Sequence, residues 1–398
     1  MKIKFSECVK YMVKGPFGSD MKKSLYVPKG EDTYKVYVQG NAIQKDENLG
    51  DYYIQSEYFH QKLKRFEVHP GDYIITCDGT LGKYIKLSEN IERGVISSSL
   101  LLLKLDEEVI YDKYFELLWD NSMLSYLASQ ARNACLVHLP SAKTIGEIII
   151  NLPELSVQRE MADKAFLIVN IIQQRNKELS MLDDLIKARF VELFGNPIKN
   201  EKHWETFKLG ECLKRIDNGK SFTCDVQART GECPAILKLS AVTYGDYRPE
   251  ENKALLDEKQ FVESTEVHSG DLLFTRKNTP ELVGMAAYVY NTPNHLMMPD
   301  LIFRLVPNER MTAIFLWQLI NNREFRPVIQ SIAGGSAKSM SNISKERLNN
   351  ISVICPPINE QIRLNEMINQ VNKSKVEVQK ALDETQKLFD SLMQQYFG

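Results

Sequence analysis

Apolar residues along this chain follow two different periods, and the periods alternate. Short apolar runs bounded by Gly, Pro and Asn, such as "DYIITC" (72–77), "SSLLLLKL" (98–105), "DLLFT" (271–275) and "DLIFRL" (300–305), predict β-strands. "DKYFELLWDN" (112–121) and "MTAIFLWQLINN" (311–322) predict short helices. A longer pattern then takes over twice. Met161, Ala165, Ile168, Ile172, Arg175, Leu179, Leu182, Ile186, Arg189 and Leu193 step by alternating four and three residues. So do Leu364, Ile368, Val371, Lys375, Val378, Leu382, Thr385, Phe389, Leu392 and Tyr396. Each series is a heptad seam of more than four heptads, which predicts a long helix that packs along a narrow stripe. Pro153 and Pro356-Pro357 precede the two helices, and Gly195 and Pro197 stand where the first should stop. At 1.5 Å per residue, a helix of about 40 residues is roughly 60 Å long. The two seams are expected to pair with each other as an antiparallel coiled coil, with their polar members fixing the register.

The alternation reflects a repeat. "VHPGDYIITCDGT" (68–80) returns as "VHSGDLLFTRKNT" (267–279), with Val68, His69, Gly71, Asp72, Thr76 and Thr80 matched 199 positions later. "KFSECV" (4–9) matches "KLGECL" (208–213), "YVQGNAI" (37–43) matches "ILKLSAV" (236–242), and "LPELSVQR" (152–159) matches "CPPINEQI" (355–362). Phe194-Gly195 matches the closing Phe397-Gly398. The predicted architecture is α/β: two mixed α/β domains in a pseudo-two-fold duplicated chain, separated by two long helices. The divisions fall at 1–151, 152–196, 197–354 and 355–398.

With 398 residues, two or more domains are the prior, and 43% hydrophobic with 26% charged residues is ordinary for a globular protein. No apolar run is long enough to cross a membrane, and "MKIKFSECVK" has no signal-peptide core, so a cytoplasmic location is expected. The seven cysteines (Cys8, Cys77, Cys135, Cys212, Cys224, Cys233 and Cys355) contain no C-x-x-C pair and read as reduced thiols, not as a metal site. A net charge of −2 means that any nucleic-acid contact rests on local patches.

Two similar heads on a stiff spacer suit a ligand with its own approximate two-fold, and duplex DNA has one in its backbone. After the repeated turn, "TCDGTLGKY" (76–84) becomes "TRKNTPELVG" (275–284): the scaffold is kept and the loop changes. Arg276, Lys277 and Asn278 carry the chemistry that reads guanine and adenine edges, with Thr275 beside them. Thr76, Asp78, Thr80 and Lys83 are the first-copy candidates. "GPFGSDMKK" (15–23) offers Ser19, Lys22 and Lys23, and "DNGKSFT" (217–223) offers Lys220 and Ser221, next to glycines that permit close approach to a phosphate. The matched strand ends add Gln39 and Asn41, and Lys238 and Ser240. The loops before the long helices, "SQARNACLVH" (129–138) and "AGGSAKSMSN" (333–342), add Arg132, Asn133, Ser336, Lys338 and Ser341.

Enzyme chemistry finds no support in the sequence. There is no Asn/Asp-Pro-Pro-aromatic turn for amino methylation, no Walker loop and no carboxylate cluster for a nuclease metal; Asp183-Asp184 reads as a solvated helix face. "GPFGSDMKK", "KHWETFKLGE", the duplicated "V-H-x-G-D" turn and the "P-P-I-N-E-Q" entry to a long helix resemble the specificity subunit of type I restriction-modification systems. The resemblance spans essentially the whole chain. The first copy departs from it in "P-E-L-S-V-Q" and in lacking a counterpart of Trp204. It implies two target-recognition domains that read the halves of a bipartite, asymmetric DNA site, with the helices setting the spacer. It implies a non-catalytic chain that assembles with two methyltransferase subunits, and with restriction subunits in the full complex. S-adenosylmethionine, ATP and Mg would belong to those partners. The competing reading is a non-catalytic two-headed scaffold that binds protein partners at the ends of a coiled-coil rod. After pairing, Phe166, Ile171, Phe190 and Phe194 could serve as a docking surface or as core against the heads.

Overall fold

The computed structural model describes residues 1–130, 138–334 and 340–398. They form two compact units, one made of Met1–Gln174 with Leu382–Gly398 and the other of Arg175–Ala381.

In the first unit, β1 (Lys2–Lys4), β2 (Val9–Lys14), β3 (Thr33–Tyr37), β4 (Tyr53–Gln55), β5 (Tyr73–Thr76), β6 (Tyr84–Lys86), β7 (Gly94–Ile96), β8 (Leu100–Leu105) and β9 (Ile149–Asn151) build three sheets. β2-β8-β5-β6 is antiparallel throughout; in β4-β3-β7 the β3–β7 pair is parallel; β1 pairs with β9. β5 and β8 are buried almost end to end, which explains why they read as continuous apolar runs instead of alternating ones.

The second unit contains β10 (Thr206–Lys208), β11 (Leu213–Asn218), β12 (Ala235–Leu237), β13 (Asn252–Ala254), β14 (Leu272–Thr275), β15 (Lys277–Asn278), β16 (Ala286–Tyr288), β17 (Leu296–Met297), β18 (Ile302–Pro307), β19 (Ser341–Asn342) and β20 (Ser352–Ile354). Its four-stranded sheet runs β11-β18-β14-β16 and its three-stranded sheet β13-β12-β17, the latter again with one parallel pair; β10 pairs with β20. Both large sheets carry a register shift at the same place, Val9/Tyr11 in one and Leu213/Arg215 in the other. A short β15–β19 ladder completes the unit.

The two long helices span Leu155–Phe194 and Ile358–Phe397. Every one of the twenty seam positions is buried or half-buried. In the first unit, Ala162 and Ala165 from the start of the first helix share a core with Phe389, Leu392, Met393 and Phe397 from the end of the second. In the second unit, Ile186, Phe190 and Phe194 from the end of the first helix meet Leu364, Ile368 and Val371 from the start of the second. Start meets end in both cases, so the pairing is antiparallel. Phe194 packs on Phe315, with ring centroids 4.9 Å apart, and Phe397 on Tyr114 at 5.6 Å. Phe190 and Phe194 are therefore core residues, and Phe166 lies partly buried beneath Lys113. Asp183 is no free solvated carboxylate: Lys375 Nζ lies 2.6 Å from it, while its neighbour Asp184 pairs with Lys187. Arg175 donates to the carbonyl of Ala381.

A buried glutamine locks the entry to each helix. Gln158 accepts from the Tyr111 N–H at 2.8 Å and donates to the carbonyls of Val109 (3.0 Å) and Pro153 (2.9 Å). Gln361 accepts from the Thr312 N–H at 2.9 Å and donates to Arg310 (2.9 Å) and Pro356 (2.8 Å). Both side chains are fully buried, and the same three kinds of bond recur.

Candidate functional site

The repeated turn is scaffold. In the first unit the Asp72 carboxylate accepts from the His69 N–H at 2.8 Å and from the Tyr11 hydroxyl at 2.5 Å, and Lys104 Nζ lies 3.9 Å away. In the second, Asp271 accepts from the His268 N–H at 2.9 Å and lies 2.9 Å from Arg304 Nε. Burial pushes both carboxyls above their ordinary range, against these hydrogen bonds and the neighbouring cation. Gly71 and Gly270 hold φ of 75° and 94°, a region open to glycine at little cost. Each turn thus pins the start of β5 or β14 to the neighbouring strand β8 or β18.

Several sequence candidates turn out to be occupied in the same structural work. Thr76 and Thr275 are fully buried. The Thr76 hydroxyl accepts from the Lys83 N–H and donates to the Thr80 carbonyl; that of Thr275 accepts from the Met285 N–H at 2.9 Å. Asn41 is buried, its amide bonded to the Val38 N–H and to the carbonyls of Asp46 and Leu49. The glycines of the "GPFGSDMKK" and "DNGKSFT" segments are spent on the chain itself. A β-carbon at Gly15 would overlap the Ser97 carbonyl, and one at Gly219 the Pro299 carbonyl. Arg276 lies over the Phe303 ring, 4.9 Å from its centre, with its guanidinium 3.4 Å from Asn342 Oδ1.

Other candidates converge. Just past β14, the ladder of β15 with β19 sets Lys277 opposite Asn342 and Asn278 opposite Ser341. Lys277 Nζ lies 3.4 Å from Asp300 Oδ2, while the Ser221 hydroxyl donates to Asp300 Oδ1 at 2.5 Å. That hydroxyl and, after it, the Lys277 ammonium hold the Asp300 carboxyl below its ordinary range despite some desolvation. Asn278 donates to the Thr243 hydroxyl at 3.1 Å. Asp300 therefore joins Ser221 to Lys277, and the ladder sets Asn278 and Ser341 beside them; sequence reasoning missed Asp300 and Asn342. Lys220 lies exposed beside Ser221.

Past β5 the first unit has the matching place. Asp78 bridges to His138, with Asp78 Oδ1 2.7 Å from His138 Nδ1, and the Lys14 ammonium donates to the Leu139 carbonyl at 3.3 Å. Thr80 and Lys83 are exposed in the turn that follows, and Ser19, Lys22 and Lys23 are exposed on short 3₁₀ turns. Gln39 is half-buried at the start of the helix Gln39–Gln44. Lys238 and Ser240 both engage Glu251, at 3.6 and 2.8 Å. Arg132, Asn133, Ser336 and Lys338 lie outside the described residues. Sequence reasoning gave His138 no role, and only the fold shows that it faces Asp78.

Among the described residues, no group of His, Cys, Asp and Glu could hold a metal, and no helix is long and apolar enough to cross a membrane.

Residues 201–386 match the model of the "Type I restriction modification DNA specificity domain". The chain is 31% identical over 163 residues to the specificity subunit of the type I restriction enzyme EcoEI from Escherichia coli, covering 40% of this chain and 27% of that protein. It is 24% identical over 391 residues to the MjaVIII specificity subunit from Methanocaldococcus jannaschii, covering 87% of each. Its fold is similar to that of a chain solved in a study of assembly and conformational transition of the type I restriction-modification system (TM-score 0.58, 15% identity, 100% of this chain and 97% of that one). It is also similar to the S subunit from M. genitalium (TM-score 0.55, 13% identity, 100% and 96%).

Proposed function

We infer that this chain, which carries a type I restriction-modification DNA specificity domain and belongs with the specificity subunits of such systems, reads a bipartite, asymmetric DNA site for them. It is a non-catalytic component, and the chemistry resides in its partners. In our reading the recognition domains are residues 1–151 and 197–354, each reading one half-site. The helices 152–196 and 355–398 set the spacer between the halves. Two methyltransferase subunits bind the chain, restriction subunits join in the full complex, and S-adenosylmethionine, ATP and Mg are held by those partners.

The observation that carries the reading is a constant scaffold with a changed loop. The turns at Asp72 and Asp271, the locks at Thr76 and Thr275, and the strand orders match, while the residues just beyond differ in charge: Asp78 in one unit, Lys277 in the other. A shared frame that presents different side chains is what two readers of different sequences require. Ser19, Lys22, Lys23, Asp78, Thr80, Lys83, Lys220, Ser221, Lys277 and Ser341 are the exposed or convergent candidates for contact.

Binding to duplex DNA as a function of salt tests the reading against a protein-binding scaffold. The chain, assembled with its methyltransferase subunits, is expected to prefer particular duplex fragments. Its affinity should fall by orders of magnitude between about 50 and 200 mM salt, as phosphate-bound counterions are released. A complex that assembles but shows neither preference nor salt dependence would favour the scaffold.

A further inference from the structure

We propose that the cross-strand pairs Asp78–His138 and Lys277–Asn342 are the base-reading elements of the two units. Asp78 accepts from the amino group of a cytosine, and Lys277 donates to the O6/N7 edge of a guanine. This rests on the DNA-reading function proposed above and assigns it to particular side chains.

The two pairs occupy the same place in the fold. Beyond β5, the Cys77 N–H donates to the Ser99 carbonyl, and the Cys77 carbonyl accepts from the Leu139 N–H. Beyond β14, the Arg276 N–H donates to the Leu301 carbonyl, and the Arg276 carbonyl accepts from the Ile343 N–H. The Gly15 N–H donates to Leu100 and the Gly219 N–H to Ile302 on the far side of the same strands. The next residue in each copy then faces its cross-strand partner: Asp78 faces His138, and Lys277 faces Asn342. One backbone frame therefore presents an anion in one unit and a cation in the other.

The chemistry at each place is that of a reader. His138 Nδ1 lies 2.7 Å from Asp78 Oδ1, which engages one carboxylate oxygen and leaves Oδ2 without a partner among the described residues. The pair is too exposed, at 66% and 30% of the side chains, to add much stability, so fold maintenance is a poor account of it. An acidic group on a DNA-facing loop is repelled by phosphates unless it receives a donor. The cytosine N4 amino group is the donor a carboxylate meets best in the major groove. In the second unit, Asp300 takes one direction of the Lys277 ammonium at 3.4 Å and leaves its other protons to donate. Guanine O6 and N7 are the matching acceptors.

The test uses the full chain assembled with methyltransferase subunits, after the methylated motif of the unsubstituted complex has been mapped. Duplexes that vary one base pair of that motif at a time are then competed for binding to Asp78→Asn, His138→Gln and Lys277→Met complexes. The expected result is that Asp78→Asn loses roughly tenfold to a hundredfold of its preference at one cytosine in one half-site, with the other half and the gap unchanged. His138→Gln weakens the same position, and Lys277→Met relaxes a guanine in the other half. Unchanged preference in the variants, loss at an A·T pair, or both effects in the same half-site would overturn the assignment. If Asp78→Asn does not assemble, His138→Gln and Lys277→Met decide the matter by the same criteria. If the unsubstituted complex shows no two-part motif, the DNA-reading function itself is refuted. A two-part motif with insensitive variants refutes only the pairing.

Discussion

Replacing Gln361 with Ala should unfasten the second long helix from the globule it follows. The side chain is fully buried and makes three hydrogen bonds of 2.8 to 2.9 Å, one accepted from the Thr312 N–H and two donated to the Arg310 and Pro356 carbonyls. Alanine removes the side-chain partner of the Thr312 N–H and the Pro356 carbonyl, while the Arg310 carbonyl keeps the Cys355 thiol at 3.3 Å. At about 1–3 kcal/mol for each buried group left unmade, these two sum to about 2–6 kcal/mol, less whatever entering water recovers. The expected loss is therefore about 3 kcal/mol, a large part of the stability of an ordinary domain. Trp204 and Trp317 lie in the second unit and Trp119 in the first, so denaturant unfolding followed by tryptophan fluorescence in a Trp119→Phe background reports on the affected unit. Gln158→Ala should destabilise the first unit to a similar extent, read through Trp119. Gln361→Glu should not rescue, because it keeps the acceptor for Thr312 but loses both donors and buries a charge. A loss below about 0.5 kcal/mol for Gln361→Ala would show that the junction is held by packing alone and would refute the reasoning.

Arg304→Met leaves Asp271 with its largest cationic partner gone; thermal unfolding should show a loss of about 3 kcal/mol, as for a broken, largely buried ion pair. Phe190→Ala opens a cavity between the two helices and Phe315 and should cost about 3–5 kcal/mol in denaturant unfolding of the second unit. Asp300 titrates below the ordinary carboxylate value of 3.8, so its ionised form stabilises the fold above that pH, and the contribution is lost as pH falls through the lowered value. The stability difference between the wild type and Asp300→Asn should accordingly be present at pH 7 and vanish in that acid window, as read by pH-dependent unfolding. Inserting seven residues into each long helix keeps both seams in phase, and should change the gap of the recognised site while leaving both half-sites unaltered, as read by methylation mapping.

The helices were legible from sequence because a heptad seam carries its own check: twenty positions had to be apolar or register-fixing, and all twenty are at least half-buried. The strands were legible as runs, but their order was not, since segments of two to six residues hold too little pattern to name a partner. The repeated turn was visible as identity, yet its role was hidden. The groups that meet Asp72 and Asp271, Lys104 and Arg304, lie some thirty residues further along the chain. Asn41, Thr76 and Thr275 looked like polar groups at strand ends available to a ligand, because side-chain burial is a property of the tertiary fold and polar residues that serve turns are the same types that serve ligands. Phe190 and Phe194 fell outside the heptad stripe but inside the second unit's core, because the end of the first helix packs there. The convergence of Ser221, Lys277 and Asp300 joins three segments far apart in sequence, which no local pattern encodes.

Genome-wide mapping of methylated adenines by single-molecule sequencing, with this chain co-expressed with its methyltransferase subunits, tests the central claim most directly. Two unlike readers held at a set spacing predict a split motif with two different half-sites and a fixed, unread gap. A continuous motif, or a palindromic one with identical halves, would contradict it.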